Sequence, residues 1–221
     1  MWDSQTILMI VEGTGATLYM TLVSTLIAYL LGLPVGILLV VSAPGGLKPM
    51  KALYKALDVV VNILRSIPFL ILLMLIIPFT RFIVGRSYGA TATIVPLAIA
   101  AAPFVARLVE SSLLEVDHGV IEAAQSMGAS PGTIIWKVLL AEARVSLIVG
   151  GTISLGTILG YSAMAGVVGG GGLGDIAIRY GYHRYQADIM IVTVILLVAL
   201  VQILQMIGTK LSRKLDRRIT G

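Results

Sequence analysis

The sequence predicts an all-α membrane protein with five transmembrane helices, and three observations predict it. Hydrophobic residues make up 57% of the 221 positions and charged residues 12%, against about 45–50% and about 25% in soluble domains. Mean hydropathy is +0.99. The charges bracket uncharged runs long enough for helices through a hydrocarbon core of ~30 Å, which takes about 20 residues. The net charge of +5 therefore does not read as a nucleic-acid signal, because the basic residues flank apolar runs. The chain has no cysteine, which excludes disulfide scaffolds, thiolate metal sites and cysteine nucleophiles. His118 and His183 lie too far apart in sequence to suggest a multi-histidine zinc site.

The spans follow from the uncharged runs. Nothing is charged between Glu12 and Lys48, and Pro44-Gly45-Gly46 marks a turn. The first helix is placed near 16–41. The second is the hardest to place. The run from Ser66 to Thr80 holds 15 residues, about 22 Å of helix, which is too short. Extending it to 59–80 restores the length and puts Arg65 inside the helix. There it could snorkel as an interfacial anchor, or serve the pore or helix packing. The third helix fits 87–106, between Arg86 and Arg107; the fourth 146–168, after Arg144; the fifth 189–208, between Asp188 and Lys210.

Five spans put the termini on opposite sides of the membrane. The segments after the first, third and fifth helices, with Arg65, hold 12 of the 16 Lys and Arg residues. Arg81, Arg86, Arg179 and Arg184 occupy the other side. An excess of Lys and Arg marks cytoplasmic segments, which places the N-terminus outside, the C-terminus in the cytoplasm, and a basic cytoplasmic tail at 209–221. Asp3 precedes the first apolar stretch and no basic residue does, which argues against a cleaved signal peptide.

Small residues recur at four-residue spacing in Gly32 and Gly36, in Ala98, Ala102 and Ala106, and in Thr152, Gly156 and Gly160. Such ridges let helix backbones approach closely in lipid, so the spans are expected to pack as a bundle. Gln202 and Gln205 share one face of the fifth helix and could line an aqueous path or bond a neighbouring helix. No span carries the paired ionisable groups that proton and sodium relays usually need. The run Gly169–Gly172 with Gly174 matches G-x-G-x-x-G formally. It follows a membrane helix rather than a strand, so a flexible bend is expected instead of a dinucleotide site. There is no G-x-x-x-x-G-K-[ST], so no P-loop ATPase site, and no H-E-x-x-H.

The segment 107–144 is the longest polar stretch. Asp117 can cap a helix running to Met127, and Gly128 suits the left-handed position that ends it. Ser130 caps a second helix with Pro131 in its first turn, and Ile134, Ile135, Val138 and Leu139 give it an apolar face. The spacing predicts two short helices joined at a rigid elbow. Periodicity alone would equally suit an amphipathic hairpin at the membrane surface.

Glu122-Ala123-Ala124, with Gly128 six positions after the glutamate and Leu140 eighteen after it, resembles the "EAA" loop of ATP-binding-cassette importer permeases. The family usually places proline after that leucine, where this chain has Ala141. Arg65-Ser66-Ile67-Pro68-Phe69, Ile77-Pro78-Phe79-Thr80-Arg81, Ala102–Arg107, Gly160–Met164 and the glycine run with Tyr180-Gly181-Tyr182 look like the methionine-importer branch of that family. The resemblance covers 13–208.

The resemblance implies a type I importer permease domain over 13–208, in the inner membrane of a bacterial cell. It implies a permease homodimer, two ATPase subunits that bind ATP and Mg on the cytoplasmic side, and an external substrate-binding protein. No cofactor or catalytic residue is expected on this chain. The first elbow helix would couple to the ATPase: Glu122 at the rim, Ala123 and Ala124 permitting close approach, Gly128 and Leu140 shaping the loop. Met164, with Tyr161 and Ser162, would lie at the pore constriction as a candidate gate, against the plain alternative of a lipid- or core-facing methionine. The cargo implied is methionine, L or D, or a close analogue; the alternative is another amino acid or a quaternary-amine osmolyte.

Overall fold

The computed structural model describes residues 3–216, and the secondary structure there is helical throughout. The elements are α1 (Ser4–Ser42), α2 (Lys51–Ser66), α3 (Phe69–Leu75), α4 (Ile77–Val84), α5 (Ala90–Leu114), α6 (His118–Ser126) and α7 (Pro131–Thr133), which passes through a π-helical stretch at Ile134–Leu139 into α8 (Leu140–Glu142). Then come α9 (Arg144–Ala165), a 3₁₀ turn at Gly166–Val168, α10 (Gly172–Ile176), a second π-helical stretch at Ala177–Tyr182, and α11 (Ala187–Leu215). Helical stretches beginning at Ser4, Ala90, Arg144 and Ala187 are long and apolar enough to cross a membrane. Counting the bent pair α2 and α3 as one span gives five.

Several boundaries differ from the sequence expectation. α1 starts twelve residues before position 16. Asp3 accepts a hydrogen bond from the Thr6 amide at 2.8 Å and so caps the helix, and Glu12 stays exposed on it. That bond holds the Asp3 carboxyl below its ordinary pKa. The expected second span, 59–80, is not one helix. Pro68 lacks an N–H and disfavours helical backbone at Ile67, so α2 ends at Ser66 and α3 leaves at 100°. Arg65 is consequently exposed in the last turn of α2, where a cation suits the helix dipole. α5 runs on past 106 to Leu114, taking the start of the expected loop into the helix. α9 ends at Ala165, and α11 continues to Leu215 through much of the expected tail. Arg217 and Arg218 of that tail lie outside the described residues.

The chain divides into two compact units. One comprises Ile67–Ala101, Ser154–Met206 and the N-terminal stretch to Ile27. Within it the glycine run is not a loose bend. Gly169, Gly171 and Gly172 have positive φ, and Gly170 and Gly172 through Ile176 are buried. The Leu173 amide donates to Thr17 Oγ1 at 2.9 Å, and Thr93 donates to the Gly170 carbonyl at 3.1 Å. A Cβ on Gly174 would sit 2.3 Å from the Ala163 carbonyl oxygen. The glycines buy close contact between backbones rather than flexibility. Gly174→Ala is therefore expected to destabilise the purified protein by about 1–3 kcal/mol, the usual cost of overpacking, read as a lower melting temperature in detergent.

The second unit comprises Ala28–Ser66, Ala102–Ile153 and the chain from Ile207 onward. The small-residue ridge of α1 is a seam here. A Cβ on Gly32 would lie 2.7 Å from the Ala102 carbonyl oxygen, and one on Gly36 would lie 2.6 Å from that of Ala106. α2 joins the seam through Val61, buried with Leu39 and Ala106 and flanked by Val35, Tyr54 and Leu57. On the other expected ridge, a Cβ on Gly208 of α11 would lie 2.0 Å from Thr152 Oγ1.

Candidate functional site

The elbow forms as its caps dictate. Asp117 accepts from the Gly119 amide at 2.7 Å and starts α6. At the other end Gly128 takes φ +76°. Its amide reaches the Gln125 carbonyl at 2.9 Å, and the Ala129 amide reaches that of Ala124 at 3.1 Å. This crossed pair is a Schellman motif, and it satisfies carbonyls that a helix end would otherwise leave without partners. Ser130 accepts from the Thr133 amide at 3.3 Å and starts the second helix, with Pro131 in its first turn. Ile134 and Leu139 are fully buried; Ile135, Val138 and Leu140 are partly so. The second helix thus anchors the elbow, although its path includes a π-helical stretch that spacing did not predict.

α6 is held at both ends and presents most of its surface to solvent. Glu122, Ala123 and Gly128 are exposed, and only Ala124 is buried. Glu122 and His118 approach to 3.4 Å along the helix. Met127 is 82% exposed and Trp136 69%. Beside α6 lies a cavity of about 380 Å³ lined by Pro44, Leu47, Leu113, His118, Ile121 and Leu139 among others. The elbow is therefore a short helix with defined caps, an exposed Ala123 and exposed apolar neighbours.

The other candidate residues sit on α9. Tyr161 stacks on Phe69 with ring centroids 4.6 Å apart and planes 3° from parallel. Ser162 is buried and donates to the Leu159 carbonyl at 2.7 Å. Both are engaged by their own unit. Met164 is 47% exposed, and Gly160 one turn before it has nothing within 4 Å of a Cβ position. Gln202 and Gln205 are exposed on α11. Among the described residues no group of three or more His, Cys, Asp or Glu is placed to hold a metal.

One polar cluster escaped the sequence reading. Arg107 on α5 donates to Glu110 at 2.6 Å, to Asn62 at 2.9 Å and to the Asp58 carbonyl at 3.4 Å, and it is ion-paired with the Asp58 carboxylate. The charges are visible in the sequence. Glu110, one turn along, was a local signal, whereas Asp58 lies 49 positions earlier and no local spacing reveals it.

The fold is that of an all-helical protein with four to five helices able to cross a membrane and a capped, exposed helix between α5 and α9. The chain belongs to the family of binding-protein-dependent transport system inner membrane components, which matches residues 32–220. It is 54% identical to the probable D-methionine transport system permease protein MetI of Vibrio cholerae, over 95% of this chain and 93% of that one. It is 52% identical to the D-methionine transport system permease protein MetI of Escherichia coli K12, over 72% of this chain and 73% of that one. Among solved structures, a chain of the MetNI methionine ABC transporter in an inward-facing conformation matches with a TM-score of 0.96 at 49% identity, covering 98% of this chain and 100% of that one. An amino acid ABC transporter matches with a TM-score of 0.73 at 21% identity over 99% of each chain, which speaks to fold alone.

Proposed function

We propose that this chain is the membrane-spanning subunit of an ATP-driven importer of methionine in a bacterial inner membrane. The observation that carries the proposal is the near-complete likeness, at 49% identity, to a chain of a methionine ABC transporter. Two copies would form the translocation path. Two separate ATPase subunits, binding ATP and Mg, would grip the α6 elbow from the cytoplasm, and an external binding protein would deliver substrate. In this reading the N-terminus is outside, the C-terminus is cytoplasmic, and the residues after α5 form the coupling loop.

The mechanism follows from the elbow's rigidity. A helix capped at both ends transmits a rigid displacement, whereas a flexible loop would absorb it. ATP binding draws the ATPase subunits together, and Glu122, Ala123 and Ala124 travel with them. The second helix, anchored through Ile134 and Leu139, passes that motion to α9 and so to Met164. The exposure of Met164, next to the open Gly160 surface, supports a position on the face turned toward the second copy and the path. A flexible, polarizable methionine can occlude such a path and withdraw from it cheaply.

The test is uptake. The chain is reconstituted in liposomes with its ATPase and binding protein, and labelled L- and D-methionine are offered. The expected result is ATP-dependent accumulation, competed by unlabelled methionine and not by other amino acids or betaine. Accumulation without any ATPase would overturn the assignment. Preferential competition by another amino acid or betaine would overturn the choice of cargo.

A further inference from the structure

We infer that Arg107 is a positioning residue that fastens α2 to the arm carrying the elbow, so that displacement of α6 moves α2 together with α5. The inference rests on the reading of the chain as an ATPase-driven permease, and adds to it a part that couples motion outside the elbow.

The geometry is that of a clamp. Arg107 lies on α5 ten positions before the Asp117 cap of α6. Its guanidinium meets Asp58 and Asn62, one turn apart on α2, and Glu110, one turn along α5. A planar fork of donors can hold partners on two helices at once, which a lysine ammonium does less well. The side chains are 19% exposed for Arg107, 10% for Glu110 and 32% for Asp58. Removing one partner of a pair partly shielded from water leaves the other charge uncompensated, and that is what disrupts the site.

Two further observations make the clamp mechanical rather than only stabilising. The bend of 100° at Pro68 separates α2 from α3, so α2 receives no straight push along the chain from that side. The apolar cluster tying α2 to its neighbours comprises Val61 with Leu39 and Ala106, flanked by Val35, Tyr54 and Leu57, and it has no directional bonds. The directional contacts at Asp58 and Asn62 are what fix the orientation of α2 on α5. On the elbow side α5 is unbroken from Arg107 to Leu114, a short stiff link to α6.

The experiment measures methionine moved per ATP hydrolysed, in liposomes holding the intact complex of this chain, its ATPase and its binding protein. Arg107→Gln is expected to lower that ratio about tenfold, within the usual range for coupling between distant sites, while hydrolysis continues. Arg107→Lys should fall between Arg107→Gln and the unaltered protein, and Asp58→Asn should show a smaller loss of the same kind. A ratio unchanged in the variants, or transport and hydrolysis falling in equal proportion, overturns the clamp, because a purely structural defect removes both together. If Arg107→Gln yields no intact complex, Asp58→Asn decides by the same ratio. An unaltered complex that hydrolyses ATP but moves no methionine instead refutes the functional reading.

Discussion

Gly128→Val is expected to abolish most uptake while leaving the chain folded. Gly128 sits at φ +76° with nothing within 4 Å of a Cβ position, so the substitution meets no clash and acts through the backbone alone. The left-handed conformation costs a non-glycine residue about 1–2 kcal/mol, and a β-branched one more. At about 1.4 kcal/mol per factor of ten, the population of correctly bent elbow falls about five- to thirtyfold or beyond. The Schellman bonds at Gln125 and Ala124 are lost with it, and α6 frays where the ATPase would hold it. Association with the ATPase and methionine uptake should decline together, in the order Gly, Asn, Ala, Val at position 128. Asparagine is larger than alanine yet tolerates this conformation better. An order that follows side-chain size would show that crowding in the interface, not backbone strain, governs the position. Unchanged association and uptake in Gly128→Val would remove the elbow from the mechanism.

The elbow was legible in the sequence because its determinants are local. Asp117, Gly128, Ser130 and Pro131 act within a few residues of themselves, and each does in the structure what its chemistry predicts. The spans were legible as uncharged runs, but charge is a poor guide to where a helix stops. One exposed Glu12 does not interrupt α1, and Pro68 interrupts a stretch that hydrophobicity alone would carry straight on. The π-helical stretches at Ile134–Leu139 and Ala177–Tyr182 depend on an extra residue accommodated by tertiary contacts, which periodicity does not register. The glycine run misled in a different way. Its residues suggested freedom, and the structure uses the missing side chains for contact, with Thr17 and Thr93 closing the hydrogen bonds. Arg107 shows the general limit: the charge is plain, but its partner on another helix belongs to the fold.

The larger stability effect is expected at Gly36. A Cβ there would lie 2.6 Å from the Ala106 carbonyl oxygen and 2.7 Å from Val109 Cβ. Neither atom is the end of a flexible side chain, so relief requires α1 and α5 to separate along the seam. Gly36→Leu adds a whole isobutyl group to that contact. The cost should reach or exceed the upper end of the ~1–3 kcal/mol typical of overpacking, because the close approach that stabilises helices in lipid is lost along with the clash. The expected observation is a large fall in melting temperature in detergent and little folded protein recovered from the membrane. Gly15→Leu is the matched control: same helix, same substitution, exposed, and nothing within 4 Å of its Cβ position. It should change stability by no more than about 0.5 kcal/mol. Equal effects at the two positions would mean that the substitution harms α1 generally, and the seam with α5 would lose its place as what holds the helix in this unit.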